Sequence, residues 1–279
     1  ATPVTPASRP VSSAAARRGT AGTPGLVAAA DASPGGSLQG GPTAMEVAMA
    51  ADLAERAELG GRYEEALQHI RVVAKGKALS TKQRYLFTVS AKQVFGGVRK
   101  RLHDATCAEE PSGDSAQAGE KTSLKEQLVL VCHLAIDIAE RQLAFSVGVE
   151  CMVFYLKIVA DYFRYVASLS SGAPRGHAVQ RARECYKEAA EKAASEMGAG
   201  HTLRVGLLLN YAVFVHDVLA DTPQAIRIAE DTLEKVMATP ASNFSGSYIE
   251  VAPLVSTLKE NLQVWRAEPP PEPPPPPAP

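Results

Sequence analysis

MVFYLKIVADYFRYVAS, the stretch from Met152 to Ser168, places three charged side chains on one face of an otherwise apolar segment. Lys157 and Arg164 are seven residues apart, two turns of a helix, and therefore project in nearly the same direction. Asp161 lies between them, four residues after the lysine and three before the arginine, where its carboxylate can hold both cations. Burying charge is costly unless the charge is paired or used for binding. The pattern predicts a buried helix that carries either a structural ion-pair network or a binding site.

The two ends of the 279-residue chain differ in composition from its centre. Residues 1–44 are dominated by Ala, Pro, Ser, Thr and Gly, and such a segment cannot bury enough apolar surface to offset the entropy lost on ordering. Residues 269–279, PPPEPPPPPAP, favour a polyproline II conformation. We therefore predict a disordered N-terminal segment, one folded domain over residues 45–268 and a proline-rich tail.

Composition argues against several classes of function. The net charge is −1, so there is no global basic field of the kind that nucleic-acid binding needs. No apolar run approaches the ~20 residues that a membrane span requires. The four cysteines and six histidines show no ligand spacing, so we expect free thiols in a reducing compartment, no metal and no cofactor. No nucleophile–base pair or phosphate-binding loop indicates an enzyme.

The central region is predicted to be all-α. Gly60 and Gly61 are suited to end the first helix. Ser80 with Gln83 forms a capping box for the third helix, and Asp221 caps the eighth. The nine predicted helical segments are 44–59, 62–76, 80–105, 123–146, 148–170, 176–197, 201–219, 223–238 and 246–266.

Three of these segments also resemble the paired helices of tetratricopeptide repeats: GRYEEALQHI at 61–70, ARECYKEAAEKA at 182–193 and TPQAIRIAEDTLEKV at 222–236. No fixed period of about 34 residues carries through the chain, so a repeat protein is the second interpretation. Either interpretation predicts an α-helical solenoid.

Four stretches, in order, resemble one known family. LFTVSAKQVFGGVR at 86–99 looks like its third helix, and VFYLK with DYFRY at 153–165 looks like its fifth. RVGLLLNYAVF at 204–214 and LKENLQVW at 258–265 look like the seventh and ninth. The family is 14-3-3, whose members bind phosphoserine and phosphothreonine peptides. The resemblance covers most of residues 46–266 and implies about nine antiparallel helices in a curved, tetratricopeptide-like array around a concave groove.

The resemblance also implies a phosphate clamp formed by Lys92, Arg99, Arg164 and Tyr165, with Lys157 as an auxiliary cation and Asp161 as the group that orients them. The chemistry of these side chains suits that role. A guanidinium matches two phosphate oxygens, and a tyrosine hydroxyl can donate to another. Each charge-assisted hydrogen bond contributes about 1.5–3 kcal/mol, so together the four residues would strongly favour a phosphorylated serine over a bare one.

Asn210 and Asn261 match the two groove asparagines of the family, which hydrogen-bond the main chain of an extended peptide. A side-chain amide has both donors and an acceptor, so it can hydrogen-bond the backbone of a peptide whatever the peptide's side chains are. Asp217 takes the place of a family glutamate near the arginines. The implied apolar wall consists of Leu209, Val213 and Leu254, and Trp265 belongs either to this groove or to the core.

The chain departs from the family pattern within the groove. His103 stands where the family has a further arginine, and a histidine is mostly neutral at pH 7, so the pocket carries less charge. Pro253 and Thr257 replace two wall leucines of the ninth helix. A proline inside that helix removes a backbone hydrogen bond, and the wall is expected to be narrower.

Two further departures concern self-association. The third helix is predicted to end near Asp104 and the fourth to begin at Ser123, which removes turns that carry dimer contacts in the family. Residues 59–61 are an apparent insertion between the first two helices, although Arg62, Tyr63 and Glu65 still match the family there. A homo- or heterodimer, an altered dimer and a monomer all remain open.

The sequence therefore predicts a cytoplasmic, and also nuclear, adaptor for phosphorylated client proteins that acts by masking, bridging or reshaping them. The alternative is a helical scaffold that binds partners independently of phosphate. Arg9, Arg17 and Arg18, with no acidic residue before Asp31, make organelle targeting a less favoured alternative to the cytoplasm.

Overall fold

The computed structural model describes residues 41–107, 115–240 and 248–268. Within these ranges the chain forms nine α-helices and no β-strand, which confirms the predicted fold class. The predictions for residues 1–40 and 269–279 concern residues outside the described ranges. The helices are α1 (Ala44–Leu59), α2 (Tyr63–Gly76), α3 (Thr81–Cys107), α4 (Ser115–Leu143), α5 (Val149–Leu169), α6 (Gly172–Glu196), α7 (Thr202–Asp217), α8 (Thr222–Met237) and α9 (Tyr248–Ala267).

Local capping chemistry sets three of the predicted helix boundaries. At the start of α3, the Gln83 backbone N–H donates to Ser80 Oγ at 3.3 Å and the Ser80 N–H donates to Gln83 Oε1 at 3.0 Å. At the start of α8, the Gln224 N–H donates to Asp221 Oδ1 at 3.0 Å. Gly61 follows α1 with a φ of 70°, the left-handed conformation that glycine adopts without steric cost. These three boundaries are confirmed.

The predicted start of α4 at Ser123 is wrong. The helix begins at Ser115, and α3 continues to Cys107, past the predicted end near Asp104. Extending an existing helix adds a hydrogen bond for each residue without a new nucleation step. The Ala, Gln, Glu and Lys residues of this stretch are good helix formers, and they outweigh the glycine at 119. Fewer helical turns are therefore missing between α3 and α4 than the sequence suggests.

Consecutive helices pack side by side, and short connections make such neighbours antiparallel. The α5 helix packs against α4 and α6 and also contacts α7, while α9 packs against α7 and α8. Four of the largest fully buried side chains, Phe87, Tyr155, Tyr186 and Phe214, come from α3, α5, α6 and α7. The position of α5, and of the charged residues on it, is therefore set by its packing against α4, α6 and α7.

In the described part of the chain, no helix combines the length and the apolar character needed to cross a membrane. Over the same residues, no cluster of three or more His, Cys, Asp or Glu side chains is arranged to hold a metal ion.

A buried amide joins α4 to the connection between α2 and α3. Gln142 is only 1% exposed. Its Nε2 donates to the backbone oxygens of Ala74 and Lys77 at 3.2 and 3.0 Å, and its Oε1 accepts from the Leu79 N–H at 2.8 Å. One side chain thus satisfies three backbone groups that no helical hydrogen bond reaches.

We expect Gln142→Leu to lower the free energy of unfolding by about 2–4 kcal/mol, because buried backbone groups lose their partner. Urea denaturation followed by circular dichroism measures this loss. Gln68→Leu, at an exposed position of α2, is the matched control and should change stability by no more than about 0.5 kcal/mol. Equal effects of the two substitutions would contradict a structural role for the Gln142 amide.

Candidate functional site

The Asp161 carboxylate is the centre of a hydrogen-bond network that joins three helices. Its Oδ2 accepts from Lys157 Nζ of α5 at 2.6 Å, and its Oδ1 accepts from the Tyr186 hydroxyl of α6 at 2.6 Å. Asn210 Nδ2 of α7 lies 2.9 Å from both oxygens. The side chains of Lys157 and Asp161 are 20% and 14% exposed. The carboxylate is therefore mostly buried, fully hydrogen-bonded and held in one orientation.

Tyr186 is the member of this network that is not among the predicted site residues. It is completely buried, its ring stacks on Tyr211 at 5.4 Å between centroids, and it also contacts Phe214. Burial raises the pKa of its hydroxyl, and the adjacent charge of Asp161 raises that pKa further, so the hydroxyl remains a donor. Its only signal in the sequence is a large aromatic residue in the alanine-lined face of α6.

Arg164 is hydrogen-bonded to Tyr186 but keeps one guanidinium donor without a partner in the described structure. Its guanidinium lies 4.4 Å from the centre of the Tyr165 ring, and its buried Nε has no hydrogen-bond partner among the described residues. Burial alone would lower the pKa of Arg164, but Tyr186, Tyr165 and Asp161 together raise it above the usual range. Asp161 was expected to hold both cations. Of these two cations, only Lys157 forms a hydrogen bond with Asp161. The carboxylate acts on Arg164 through its charge.

The predicted α3 residues flank a contact between α3 and α5. The Phe95 ring lies 4.5 Å from the Tyr165 ring, centroid to centroid. Lys92 is three residues before Phe95 and Arg99 four residues after it, so they lie one turn to either side on the same face of α3. Both cations are exposed, and neither forms an ion pair or hydrogen bond with another described residue. Tyr165 thus contacts the helix that carries Lys92 and Arg99.

His103, at the position where the resemblance implies an arginine, is exposed near the end of α3. Its Nε2 lies 3.6 Å from Cys107 Sγ, one turn further along the helix. It makes no other hydrogen bond, ion pair or ring contact within the described residues. The contact of the His103 ring in the described structure is therefore with the Cys107 thiol.

The predicted apolar wall lies where α5, α7 and α9 converge. A Cβ built on Gly206 of α7 would lie 3.7 Å from Leu254 Cδ1 of α9 and 3.9 Å from Lys157 Cε of α5. Leu209 is buried and Val213 is partly buried on α7. Gly206 therefore lies between Leu254 and the aliphatic part of Lys157.

The two predicted asparagines lie in different surroundings. The Asn210 Nδ2 is bound to Asp161, which leaves its Oδ1 free to accept. Asn261 of α9 is 8% exposed, and its amide forms no hydrogen bond with another described side chain or backbone group. On the same helix, the Thr257 hydroxyl donates to the Pro253 carbonyl at 3.0 Å, which turns its polar group towards the helix. Pro253 lies in the second turn and is exposed.

A second polar cluster ties the end of α7 to the end of α9. His216 Nδ1 lies 2.7 Å from Asp217 Oδ1, and its Nε2 lies 2.9 Å from Glu268 Oε2. Its ring stacks on the buried Trp265 at 4.9 Å. Asp217, predicted near the arginines, thus contacts His216. Burial lowers the pKa of His216, but the hydrogen bonds and charges of Asp217 and Glu268 outweigh it, so the pKa is raised from its usual value of 6.5.

This raised pKa predicts a pH-dependent contribution to stability. A group with a raised folded-state pKa stabilises most fully below its unfolded pKa of 6.5, and the contribution is lost as pH rises through the folded pKa. We expect the free energy of unfolding of wild type to exceed that of His216→Gln by more at pH 6 than at pH 8.5. Urea titrations at both values measure the difference, and Glu268→Gln should narrow it. A difference that grows with pH would contradict the assignment.

Comparison with known proteins identifies the family. The sequence model described as 14-3-3 protein matches residues 50–266. The chain is 30% identical over 222 residues to a 14-3-3 protein homolog of Trichoderma harzianum, covering 76% of this chain and 85% of the relative. It is 31% identical over 231 residues to the 14-3-3-like protein G-BOX factor 14 lambda of Arabidopsis thaliana, covering 78% of this chain and 92% of the relative. It is 28% identical over 230 residues to the 14-3-3 protein theta of Gallus gallus, covering 80% of this chain and 93% of the relative. The chain belongs to the 14-3-3 family.

Proposed function

We propose that this protein binds phosphoserine or phosphothreonine peptides along α3, α5, α7 and α9 and acts as a signalling adaptor. The observation that carries the proposal is the state of Arg164. Its guanidinium keeps its positive charge, its buried Nε has no partner among the described residues, and the Asp161 carboxylate already accepts hydrogen bonds from three other residues. A buried donor without an acceptor is costly, and an anionic ligand removes that cost.

The phosphate site combines this arginine with the unpaired cations of α3. Lys92 and Arg99 are exposed on the face of α3 that contacts Tyr165 through Phe95. Planar guanidinium groups match pairs of phosphate oxygens, while the ammonium acts as a point charge. The Tyr165 hydroxyl adds a neutral donor. His103 contributes less charge than an arginine would, so the site recognises phosphate chiefly through these four residues.

The peptide main chain is bound by the two asparagines. Asn210 presents its free Oδ1 acceptor, and the Asn261 amide has no hydrogen-bond partner among the described residues. Leu209, Val213 and Leu254 supply apolar contact beside them. Thr257 and Pro253 shorten that apolar surface on α9, so we infer a preference for smaller side chains after the phosphorylated residue.

In this function the protein performs no catalytic step. Binding masks a segment of the client, links it to another protein or changes its conformation. Among the relatives, a Schizosaccharomyces pombe protein that is 28% identical is named a checkpoint signal transducer. A cytoplasmic location stays a prediction of the sequence.

Self-association also stays a prediction. Arg62, which the resemblance places near the dimer contact, pairs with Glu65 of its own helix end at 2.9 Å, and both side chains are more than half exposed. Met45 and Met49 lie one turn apart on α1 and are 80% and 59% exposed. These exposed groups are accessible to a second chain.

The proposal is tested by fluorescence anisotropy with a labelled phosphoserine peptide and its unphosphorylated twin. We expect saturable binding of the phosphopeptide alone, and a loss of about 10- to 100-fold in affinity for Arg164→Gln, because charge-assisted hydrogen bonds are removed. Arg227→Gln, at an exposed position of α8, is the matched control and should bind as wild type does. Equal binding of both peptides would support the phosphate-independent scaffold instead.

The Asp161 network generates a separate expectation. Asp161→Asn removes the charge that pairs with Lys157 and orients Asn210, so we expect unfolding to become easier by about 1–3 kcal/mol. Phosphopeptide affinity should fall by less than it does for Arg164→Gln, since Asp161 contacts no ligand directly. Denaturation and anisotropy on the same preparations measure both. Unchanged stability together with a larger loss of affinity than that of Arg164→Gln would show that Asp161 is not a structural support.

A further inference from the structure

The first turn of α5 holds a partly exposed thiol beside a cation. Cys151 Sγ accepts from Arg84 Nη1 of α3 at 3.6 Å and donates to Ser146 Oγ at 3.5 Å. The Arg84 guanidinium also donates to Thr81 Oγ1 at 3.2 Å, so it is anchored at the start of α3. Cys151 is the third residue after Gly148, the N-cap of α5, and backbone N–H groups at this end of a helix favour negative charge.

A buried hydroxyl without a partner adjoins this thiol. Tyr155 lies one helical turn after Cys151, on the same face of α5. Its side chain is 1% exposed, and its hydroxyl forms no hydrogen bond with any described residue. Burial raises the pKa of this hydroxyl and the nearby Cys151 sulfur raises it further, while Arg84 lowers it, so Tyr155 keeps its proton and can donate. A donor in this position lacks only an acceptor.

The other three cysteines lie in different surroundings. Cys132 and Cys185 are buried, and burial raises the pKa of both, to about 11 for Cys185. Cys107 is exposed at the end of α3 and contacts His103. None of them has an arginine hydrogen-bonded to its sulfur or a buried hydroxyl without a partner one turn away in the described structure.

We propose that Cys151 is a peroxide-oxidised site, in which Arg84 and Tyr155 bind the oxygen added to its sulfur. The sulfur attacks one oxygen of hydrogen peroxide, an S–O bond forms and the O–O bond breaks. Sulfur is oxidised by two electrons to the sulfenic acid, and peroxide is reduced. The thiol proton, directed at Ser146, passes to the departing hydroxide and forms water. The oxygen of this sulfenic acid accepts from the Tyr155 hydroxyl and from the Arg84 guanidinium.

The full reduced chain, treated with hydrogen peroxide and a dimedone-type probe for sulfenic acid, tests this site. Mass spectrometry gives the rate of labelling at each of the four cysteines. We expect Cys151 to be labelled about tenfold faster than the more exposed Cys107, because only Cys151 combines access with a cation at its sulfur. Arg84→Gln should slow labelling of Cys151 about five- to tenfold, whereas Arg227→Gln should leave it unchanged.

Tyr155→Phe separates the role of the hydroxyl from the stability of the fold. It removes only a buried donor without a partner, so thermal unfolding should be unchanged or shifted slightly upward. The yield of labelled Cys151 should nevertheless fall about threefold, since the sulfenic acid loses a hydrogen bond. This variant keeps the test valid if Arg84→Gln folds poorly. The proposal is overturned if Cys107 is labelled faster than Cys151. It is also overturned if neither Arg84→Gln nor Tyr155→Phe changes the labelling of Cys151.

Discussion

A mostly buried carboxylate must be surrounded by hydrogen-bond donors, and the candidate site of this protein depends on how that requirement is met at Asp161. The donors come from α5, α6 and α7, so the packing of three helices and the orientation of one side chain are linked. Isolated burial of such a charge would cost several kcal/mol. The completed network removes that cost, and its hydrogen bonds fix the side chains of Lys157 and Asn210 in place.

Saturation of Asp161 also determines the charge state of its surroundings. The carboxylate balances Lys157 directly, whereas Arg164 is left above the Tyr165 ring. A cation–π contact of this kind contributes about 0.5–2 kcal/mol and does not use the N–H donors of the guanidinium. The cation is therefore held in place by Tyr165 and Tyr186, while its Nε donor has no partner in the described structure. Together with Lys92 and Arg99, this leaves a local excess of positive charge in a chain whose net charge is −1.

The features that could be predicted from sequence are those set by short-range chemistry. The caps at Ser80 and Asp221 involve residues three positions apart, and the Lys157–Asp161 pair is four positions apart, so spacing alone identifies them. The start of α4 was missed because an extension of a packed helix needs no capping signal. The Tyr186–Asp161 bond was also missed, since its partners are 25 residues apart and meet only through the packing of α5 on α6.

The resemblance to the 14-3-3 family identified Asn210 as a site residue, but it did not reveal that Asn210 also binds Asp161. Likewise, it implied a position near the arginines for Asp217 but did not reveal that Asp217 binds His216. A resemblance carries over residue identities and not hydrogen-bond partners. Here His216 joins Asp217 and Glu268 in a cluster that links the end of α7 to the end of α9.

Three buried side-chain atoms in the described structure lack a hydrogen-bond partner: Ser90 Oγ, Tyr155 Oη and Arg164 Nε. A serine hydroxyl within a helix can rotate towards its own backbone, so its cost is small. Tyrosine and arginine have no such local acceptor, and an unmet donor on either is expensive. Both lie on α5, where the two proposals would each supply an oxygen: a phosphate at Arg164 and the oxygen of a sulfenic acid beside Tyr155. The helix whose sequence decides the fold is thus also the one that leaves two donors unmet in the described structure.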